Sequence, residues 1–286
     1  MSSTDRLNEY NEHGFLAIPN VFPISTIELL RTVLDEYVEM SREKTENDSV
    51  FDLEPTHSFQ KPQLRRLKTP ALVNEEFNRI MRSDTLMDLI DPLLGNHGVR
   101  YRNDKLNMKI AEVGSPVEWH QDIAFYPQTN DDVLAVGVAL DDCTLENGAL
   151  QCIPGSHRSP VLNHHSNGYF AGAVNVDDPG FNFNEAVPLV VSAGSITIHH
   201  GRCLHGSAPN TSNNPRRLWL IEYTAADAWP LVGAPNYSDW QKQLVRGSEP
   251  TQMRVTDHDV RLPFPQPPNT GSIYEVQKQA SQTIYR

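Results

Sequence analysis

His120-Gln121-Asp122 places an imidazole and a carboxylate two residues apart, so on an extended segment both side chains leave by the same face. Such a pair can fill two corners of a metal site, although the triplet alone fits a solvent-facing turn with an internal ion pair equally well. A further histidine gives it weight: His205-Gly206-Ser207 lies 205 − 122 = 83 residues on, at the end of another strand-like run. Two histidines and one carboxylate form the facial set that leaves three positions open on Fe(II). Arg216 follows at 216 − 205 = 11 residues, close to the next strand pattern. A guanidinium there can grip a dicarboxylate end-on through paired charge-assisted hydrogen bonds. A metal-chelating 2-oxo acid with a distal carboxylate suits that arrangement.

Other histidines compete for the distal ligand position. Strand parity turns one of His199 and His200 inward, but neither has an arginine at the corresponding offset, so His205 is favoured and an inward His199 reads as a hydrogen-bonded core residue. His157, in a Pro-Gly-Ser-His turn, and His164 and His165, in a polar loop, need no metal to explain them. Cys143, Cys152 and Cys203 are odd in number and form no CxxC, which makes them reduced, small core residues.

The elements that must position these groups change character along the chain. Ser25 and Glu28 have capping-box spacing, and Ile27, Leu30, Val33, Leu34, Tyr37 and Val38 then recur at helical spacing, which predicts a helix over 26–40. Phe77, Ile80 and Met81 suggest a second helix, and Ser83 can cap a third carrying Leu86, Leu89 and Ile90. The stretch 43–62 has no periodicity and reads as a mobile loop. From about residue 99 short β-branched runs take over: 105–110, 133–140, 149–153, 187–191, 195–199 and 218–224. Asn147-Gly148, between the second and third runs, favours a tight hairpin turn. Helices followed by many strands predict an α+β, mainly β fold with an antiparallel sandwich or barrel. The expected organisation is one domain over 1–286, with a helical part to about 98, a β core over about 99–226 and an irregular segment after 227.

The formal charge is 24 − 36 = −12, which repels phosphate backbones and anionic membrane surfaces. No uncharged apolar run approaches membrane-spanning length, and residues 1–10 carry no apolar leader segment. The expected setting is the cytoplasm, with a small-molecule substrate and neither nucleic acid nor membrane as partner.

Trp119-His120-Gln121-Asp122, Leu145-Glu146-Asn147-Gly148-Ala149-Leu150 running into Pro154-Gly155-Ser156-His157, and His205-Gly206-Ser207 with Arg216 together resemble the phytanoyl-CoA dioxygenase family of Fe(II)/2-oxoglutarate oxygenases. His13-Gly14-Phe15-Leu16, Phe77 and Leu93-Leu94-Gly95 extend the likeness to roughly residues 8–230. The resemblance implies a double-stranded β-helix, a jelly roll of the cupin type. It also implies iron held by His120, Asp122 and His205, and the 5-carboxylate of 2-oxoglutarate held by Arg216 beside Ser207. Lys109 and Gln121 resemble further positions lining the cosubstrate pocket, and Val138 stands where the family often has a tryptophan in the pocket's aromatic wall.

The implied reaction hydroxylates an unactivated C–H bond while 2-oxoglutarate and O2 become succinate and CO2. A retained Asp122 argues against halogenation, because related halogenases replace that carboxylate to admit halide. Three rivals stand beside this reading: an acyl-CoA 2-hydroxylase of the phytanoyl-CoA type, a zinc hydrolase on the same ligands, and a catalytically silent cupin-like binding protein. The hydrolase leaves Arg216 idle, and the intact triad speaks against the silent protein. The loop 43–62 and the insertion 157–185 are the expected covers of the mouth, and neither carries the basic cluster that a CoA phosphate would call for. A small organic metabolite is therefore preferred.

Overall fold

The run Val133-Leu134-Ala135-Val136-Gly137-Val138-Ala139 is apolar throughout, yet it alternates large and small side chains. On a strand that alternation gives one bulky face and one bare face. A computed structural model, which describes residues 2–111, 114–268 and 271–285, shows what each face is for. Leu134, Val136 and Val138 join the main hydrophobic core with the helices. Ala135 lines an internal cavity on the other side, and a Cβ at Gly137 would come within 2.5 Å of Thr197 Oγ1.

The chain opens with α1 (Ser3–His13), β1 (Phe15–Ile18) and α2 (Ile24–Met40), then β2 (Phe51–Leu53), β3 (Leu64–Lys68), α3 (Pro70–Val73), α4 (Glu75–Met81) and α5 (Asp84–Ile90). The strands β4 (Val99–Lys109), β5 (Val117–His120), β6 (Val133–Ala139), β7 (Leu150–Cys152), β8 (His165–Ser166), β9 (Tyr169–Phe170), β10 (Val187–Pro188), β11 (Ile196–His200), β12 (His205–Ser207) and β13 (Arg216–Ala225) follow. Last come α6 (Tyr237–Lys242), β14 (Leu244–Arg246) and α7 (Ile273–Val276). An eight-stranded sheet runs β1-β11-β6-β13-β4-β3-β2 with β14 on β4, and a four-stranded sheet runs β10-β7-β12-β5. Every pairing in both is antiparallel. This is the α+β jelly-roll arrangement expected, with helices on the outer face of the large sheet.

Packing follows strand parity. On β13, Trp219, Ile221 and Tyr223 join the helix-side core with Phe77, Ile80, Leu86 and Ile90, and Phe77 meets Trp219 edge to face at 4.9 Å. Arg216, Leu218, Leu220 and Glu222 face the cavity. On β4, Leu106 and Met108 join the core, whereas Lys105 and Asn107 line the cavity. The helix-side layer holds the largest cluster of buried apolar residues among the described residues.

Several local expectations need correction. The helix over 26–40 begins at Ile24 after Pro23, with no side-chain cap, so Ser25 sits inside the first turn and forms no capping box. The pre-set φ of proline fixes that boundary instead. Within 43–62, β2 pairs with β3 and extends the large sheet. The Asn147-Gly148 turn makes no hairpin: β6 pairs with β11 and β13, while β7 pairs with β10 and β12, so the turn carries the chain between sheets. Gly148 has φ +79°, as that tight turn requires, and a Cβ there would lie 2.3 Å from Ala208 O. Val138 is buried on the helix side of β6, so it is no part of the cavity wall. After residue 261, the chain returns to bury Tyr274 and Gln277 against the core. No helix among the described residues is long and apolar enough to cross a membrane.

Candidate active site

His120 closes β5 and His205 opens β12, and the two are direct cross-strand partners in the small sheet. Their rings therefore face each other at 4.1 Å. Asp122 lies just past the strand, in the 3-10 turn Asp122–Ala124, yet its carboxylate turns back to the same spot. His120 Nε2 is 3.5 Å and His205 Nε2 3.8 Å from Asp122 Oδ1. One ligand atom from each of the three lies within 4.8 Å of the others, and all three residues are buried.

The backbone sets the tautomers. His120 Nδ1 is 2.8 Å from Glu118 O and His205 Nδ1 is 2.9 Å from Cys203 O. A carbonyl only accepts, so each ring carries its proton on Nδ1 and turns the Nε2 lone pair inward. Burial, followed by the neighbouring His120 and His199, holds the His205 imidazole well below its ordinary range, so it stays neutral. Burial pushes the Asp122 carboxyl up, but the convergence of His205, His120 and His199 on it outweighs that and holds it well below the ordinary carboxylate range. Two imidazole nitrogens and one carboxylate, converging in a buried cavity, suit a divalent cation of the Fe(II) type.

His199 is a fourth member that sequence reading placed in the core. It projects from β11 of the large sheet with Nε2 3.3 Å from Asp122 Oδ2, so it braces the carboxylate from the opposite wall. Of His199 and His200, one of which strand parity turns inward, it is His199 that lines the cavity, and its hydrogen bond is to Asp122.

Arg216 and Ser207 line the same cavity as His120, Asp122 and His205. Arg216 is only 2% exposed, its Nε has no hydrogen-bond partner, and no carboxylate among the described residues lies within ion-pair reach. An unpaired buried guanidinium is costly, which makes this end of the cavity a receptor for an anionic group. Ser207 Oγ donates to Gly148 O at 2.8 Å.

The structure does not bring Lys109 and Gln121 into the cavity wall. The Lys109 ammonium donates to Ser207 O at 3.1 Å and to Ala208 O. Burial, reinforced by Arg216, pushes its ionisation well down. Gln121 Nε2 donates to Arg202 O and its Oε1 accepts from Leu162 N, both at 2.8 Å, because the odd position between two inward residues points away from them. His164 stands buried behind it, accepting from Gln121 N at 2.9 Å, and burial pushes its pKa down to about 3.

Sequence reading missed Lys105, Asn107 and Glu222, although the two-residue period running back from Lys109 and forward from Arg216 reaches all three. They lie where the cavity wall continues toward an outer hollow lined by Arg66, Arg102, Tyr126, Phe170 and Ser272. The loop 43–62 lines a separate surface groove. The mouth is covered instead by Phe170, from the insertion, and by the segment around Ile273.

Comparison with known proteins agrees with this geometry. The sequence model of the phytanoyl-CoA dioxygenase (PhyH) family matches residues 10–218. A probable alpha-ketoglutarate-dependent hypophosphite dioxygenase of Stutzerimonas stutzeri is 35% identical over 287 residues, covering 98% of this chain and 99% of that one. The L-proline trans-4-hydroxylase of Streptomyces griseoviridis is 26% identical over 248 residues, covering 77% of this chain and 86% of the other. The solved structure of EctD from S. alaskensis with bound Fe superposes with a TM-score of 0.69 at 20% identity, over 90% of this chain and 87% of that one, and so shares the fold.

Proposed function

The chain belongs to the phytanoyl-CoA dioxygenase family, and from that premise we propose an Fe(II)- and 2-oxoglutarate-dependent dioxygenase that hydroxylates an unactivated C–H bond of a small organic metabolite. His120, Asp122 and His205 hold the metal, and Arg216 with Ser207 receives the distal carboxylate of 2-oxoglutarate. Lys109 and Gln121 serve this site from behind, the first by fastening the Ser207-Ala208 backbone and the second by fastening Arg202 to Leu162. Bound Fe(II) supplies the O2 chemistry, in which 2-oxoglutarate loses CO2 to become succinate, one oxygen atom enters the substrate and the other ends in succinate.

The chain's own task is placement and exclusion of water. Leu218, Leu220, Val117 and Leu150 give the cavity an apolar wall between its charged ends. His199 keeps the Asp122 carboxylate oriented, so that one oxygen faces the two ligand nitrogens. The observation that carries the proposal is the joint presence, in one buried cavity, of the three converging ligand atoms and an unpaired arginine.

A second reading has its own support. The Stutzerimonas relative matches nearly the whole of both chains, and its name assigns it hypophosphite, whose oxidisable bond is P–H. The same donor set and cosubstrate pocket serve either bond. The test is succinate formation from 2-oxoglutarate and O2 with hypophosphite, L-proline or phytanoyl-CoA added. Succinate that requires Fe(II) and rises with a small substrate is expected. Absence of any Fe(II)-dependent succinate, or stimulation by the acyl-CoA alone, overturns the proposal.

A further inference from the structure

The cosubstrate pocket accounts for Arg216 but leaves a second group of polar side chains without a task. Beyond Asp122, Lys105, Glu222 and Ile273, which line both spaces, lies the outer hollow with Arg66, Arg102, Tyr126 and Ser272 in its wall. Arg66 is the least satisfied of them. It stands on β3 opposite Asn107 and is 9% exposed. Its ion-pair partner is Asp52, whose Oδ2 lies 3.4 Å from Arg66 Nη2 while the other carboxylate oxygen accepts from Arg65 at 2.8 Å. The Arg66 Nε is buried without a hydrogen-bond partner.

The neighbours point the same way. Ser272 Oγ is buried and unpartnered. The Tyr126 hydroxyl is buried and has no hydrogen-bond partner. Arg102 stacks over the Tyr126 ring at 3.6 Å and reaches Glu222 at 2.6 Å, while Lys105 reaches the same carboxylate at 2.9 Å. Two cations thus share one anion. With Asp122 committed to the metal, the wall holds Arg66, Arg102 and Lys105 against Glu222, while Asp52, which Arg66 shares with Arg65, stands outside that wall. A half-enclosed hollow with a surplus of charge donors is stabilised by an acceptor that brings negative charge.

We propose that this hollow is an oxyanion site, and that the substrate is a small oxyanion, phosphorus- or carbon-centred, held by Arg66 with the Tyr126 and Ser272 hydroxyls while its oxidisable bond is directed past Asp122 toward the metal. This rests on the oxygenase reading above and narrows its substrate. The planar fork of Arg66 matches two oxygens of a phosphinate, phosphonate or carboxylate. The chain's net charge of −12 offers such an anion no long-range attraction, so selection falls to the hollow itself.

The test separates binding from turnover. Protein loaded with Fe(II) and saturating 2-oxoglutarate, so that Arg216 is occupied, is titrated calorimetrically without O2 with hypophosphite, methylphosphonate, propionate and the neutral propionamide. At least one anion binds and propionamide does not. The affinity for that anion falls about tenfold or more in Arg66→Ala, recovers in part in Arg66→Lys, and is unchanged in Lys242→Ala on α6. Equal affinity for propionate and propionamide in the wild type overturns the proposal without any variant, and so does undiminished anion binding by folded Arg66→Ala. Admitting O2 then identifies the source: phosphite formed with succinate marks a P–H substrate, and a hydroxylated carbon product a C–H one. Arg66-dependent binding without succinate from any probe would sink the oxygenase reading and leave the oxyanion site standing. Succinate formed with no anion binding would do the reverse.

Discussion

Replacing Arg216 by lysine tests the cosubstrate assignment, because it keeps a cation on β13 and removes only the planar two-donor fork. The wild-type guanidinium is 2% exposed, with an unpartnered Nε. A carboxylate entering the cavity therefore meets donors that no other group competes for. Losing one of two charge-assisted hydrogen bonds costs about 1.5–3 kcal/mol, which is roughly a 10- to 150-fold rise in the dissociation constant for 2-oxoglutarate. The loss tends to the upper end, since burial already pushes the Lys109 ammonium far down across the strand pair, and a second buried lysine meets the same penalty. The assay is anaerobic titration of 2-oxoglutarate into Fe(II)-loaded Arg216→Lys, with metal content as the control. Arg217→Lys is the matched comparison: that side chain lies on the opposite face and is bonded to Asp141 at 2.8 Å through both Nε and Nη2. It should leave 2-oxoglutarate affinity unchanged. A folded, iron-loaded Arg216→Lys protein that binds 2-oxoglutarate as tightly as the wild type would refute the reasoning, and Arg217, already engaged with Asp141, cannot replace it.

Three further outcomes follow. His205→Ala should lose tight Fe(II) binding, whereas His199→Ala should weaken it by about 10- to 100-fold by freeing one Asp122 oxygen, and His200→Ala should leave it alone; metal analysis showing His199→Ala as empty as His205→Ala would make His199 a ligand. Product formed in excess chloride or bromide should carry no halogen, because Asp122 occupies the position a halide needs, and mass spectrometry that finds a halogenated product counts against the carboxylate ligand. Burial pushes the pKa of both His164 and His200 down to about 3, while the unfolded chain takes up those protons near 6.5. Their contribution to stability is therefore complete above about pH 6.5 and declines as the pH falls toward 3, by up to about 1.4 kcal/mol per pH unit for each. Urea unfolding of metal-free protein between pH 7.5 and 5 checks this, and a flat profile contradicts it.

The candidate site was legible in the sequence partly through short offsets that survive the fold: Asp122 stands two positions after His120 and Arg216 eleven positions after His205, while the 83-position step from Asp122 to His205 was bridged by the family resemblance. The rest depends on which strands become neighbours. Arg66 belongs to Leu64-Arg65-Arg66-Leu67-Lys68, a charged run outside the elements read from the sequence, and both arginines are buried where β4 pairs with it. The proposed wall position of Val138 failed for a related reason. In β6 every residue is buried, so burial alone does not say which face is the cavity; the small residues Ala135 and Gly137 do. Asn147-Gly148 carried a correct local signal, a positive φ at Gly148, with the wrong consequence, because turn chemistry fixes a bend and leaves the partner strand open.

On the assignments made here, one continuous space must hold two anions and keep them apart. Both arginines that receive them are buried, so charge alone cannot discriminate. Depth and reach can. Arg216 lies in the inner cavity beside Ser207, Val117 and Leu150, with the metal ligands in the same wall. Only a molecule able to chelate the metal at one end and extend to a carboxylate at the other spans that wall. Arg66 lies in the outer hollow and is absent from the inner lining, and the Lys105–Glu222 pair stands in the boundary between the two. A short oxyanion held by Arg66 is thus kept on the far side of the Lys105–Glu222 pair, away from the carboxylates of the bound cosubstrate. The Glu222 carboxylate, at first sight out of place among cations in an anion site, acquires a role there: it engages both Lys105 and Arg102 and leaves Arg66, whose Nε has no partner, as the donor that receives an anion on the outer side.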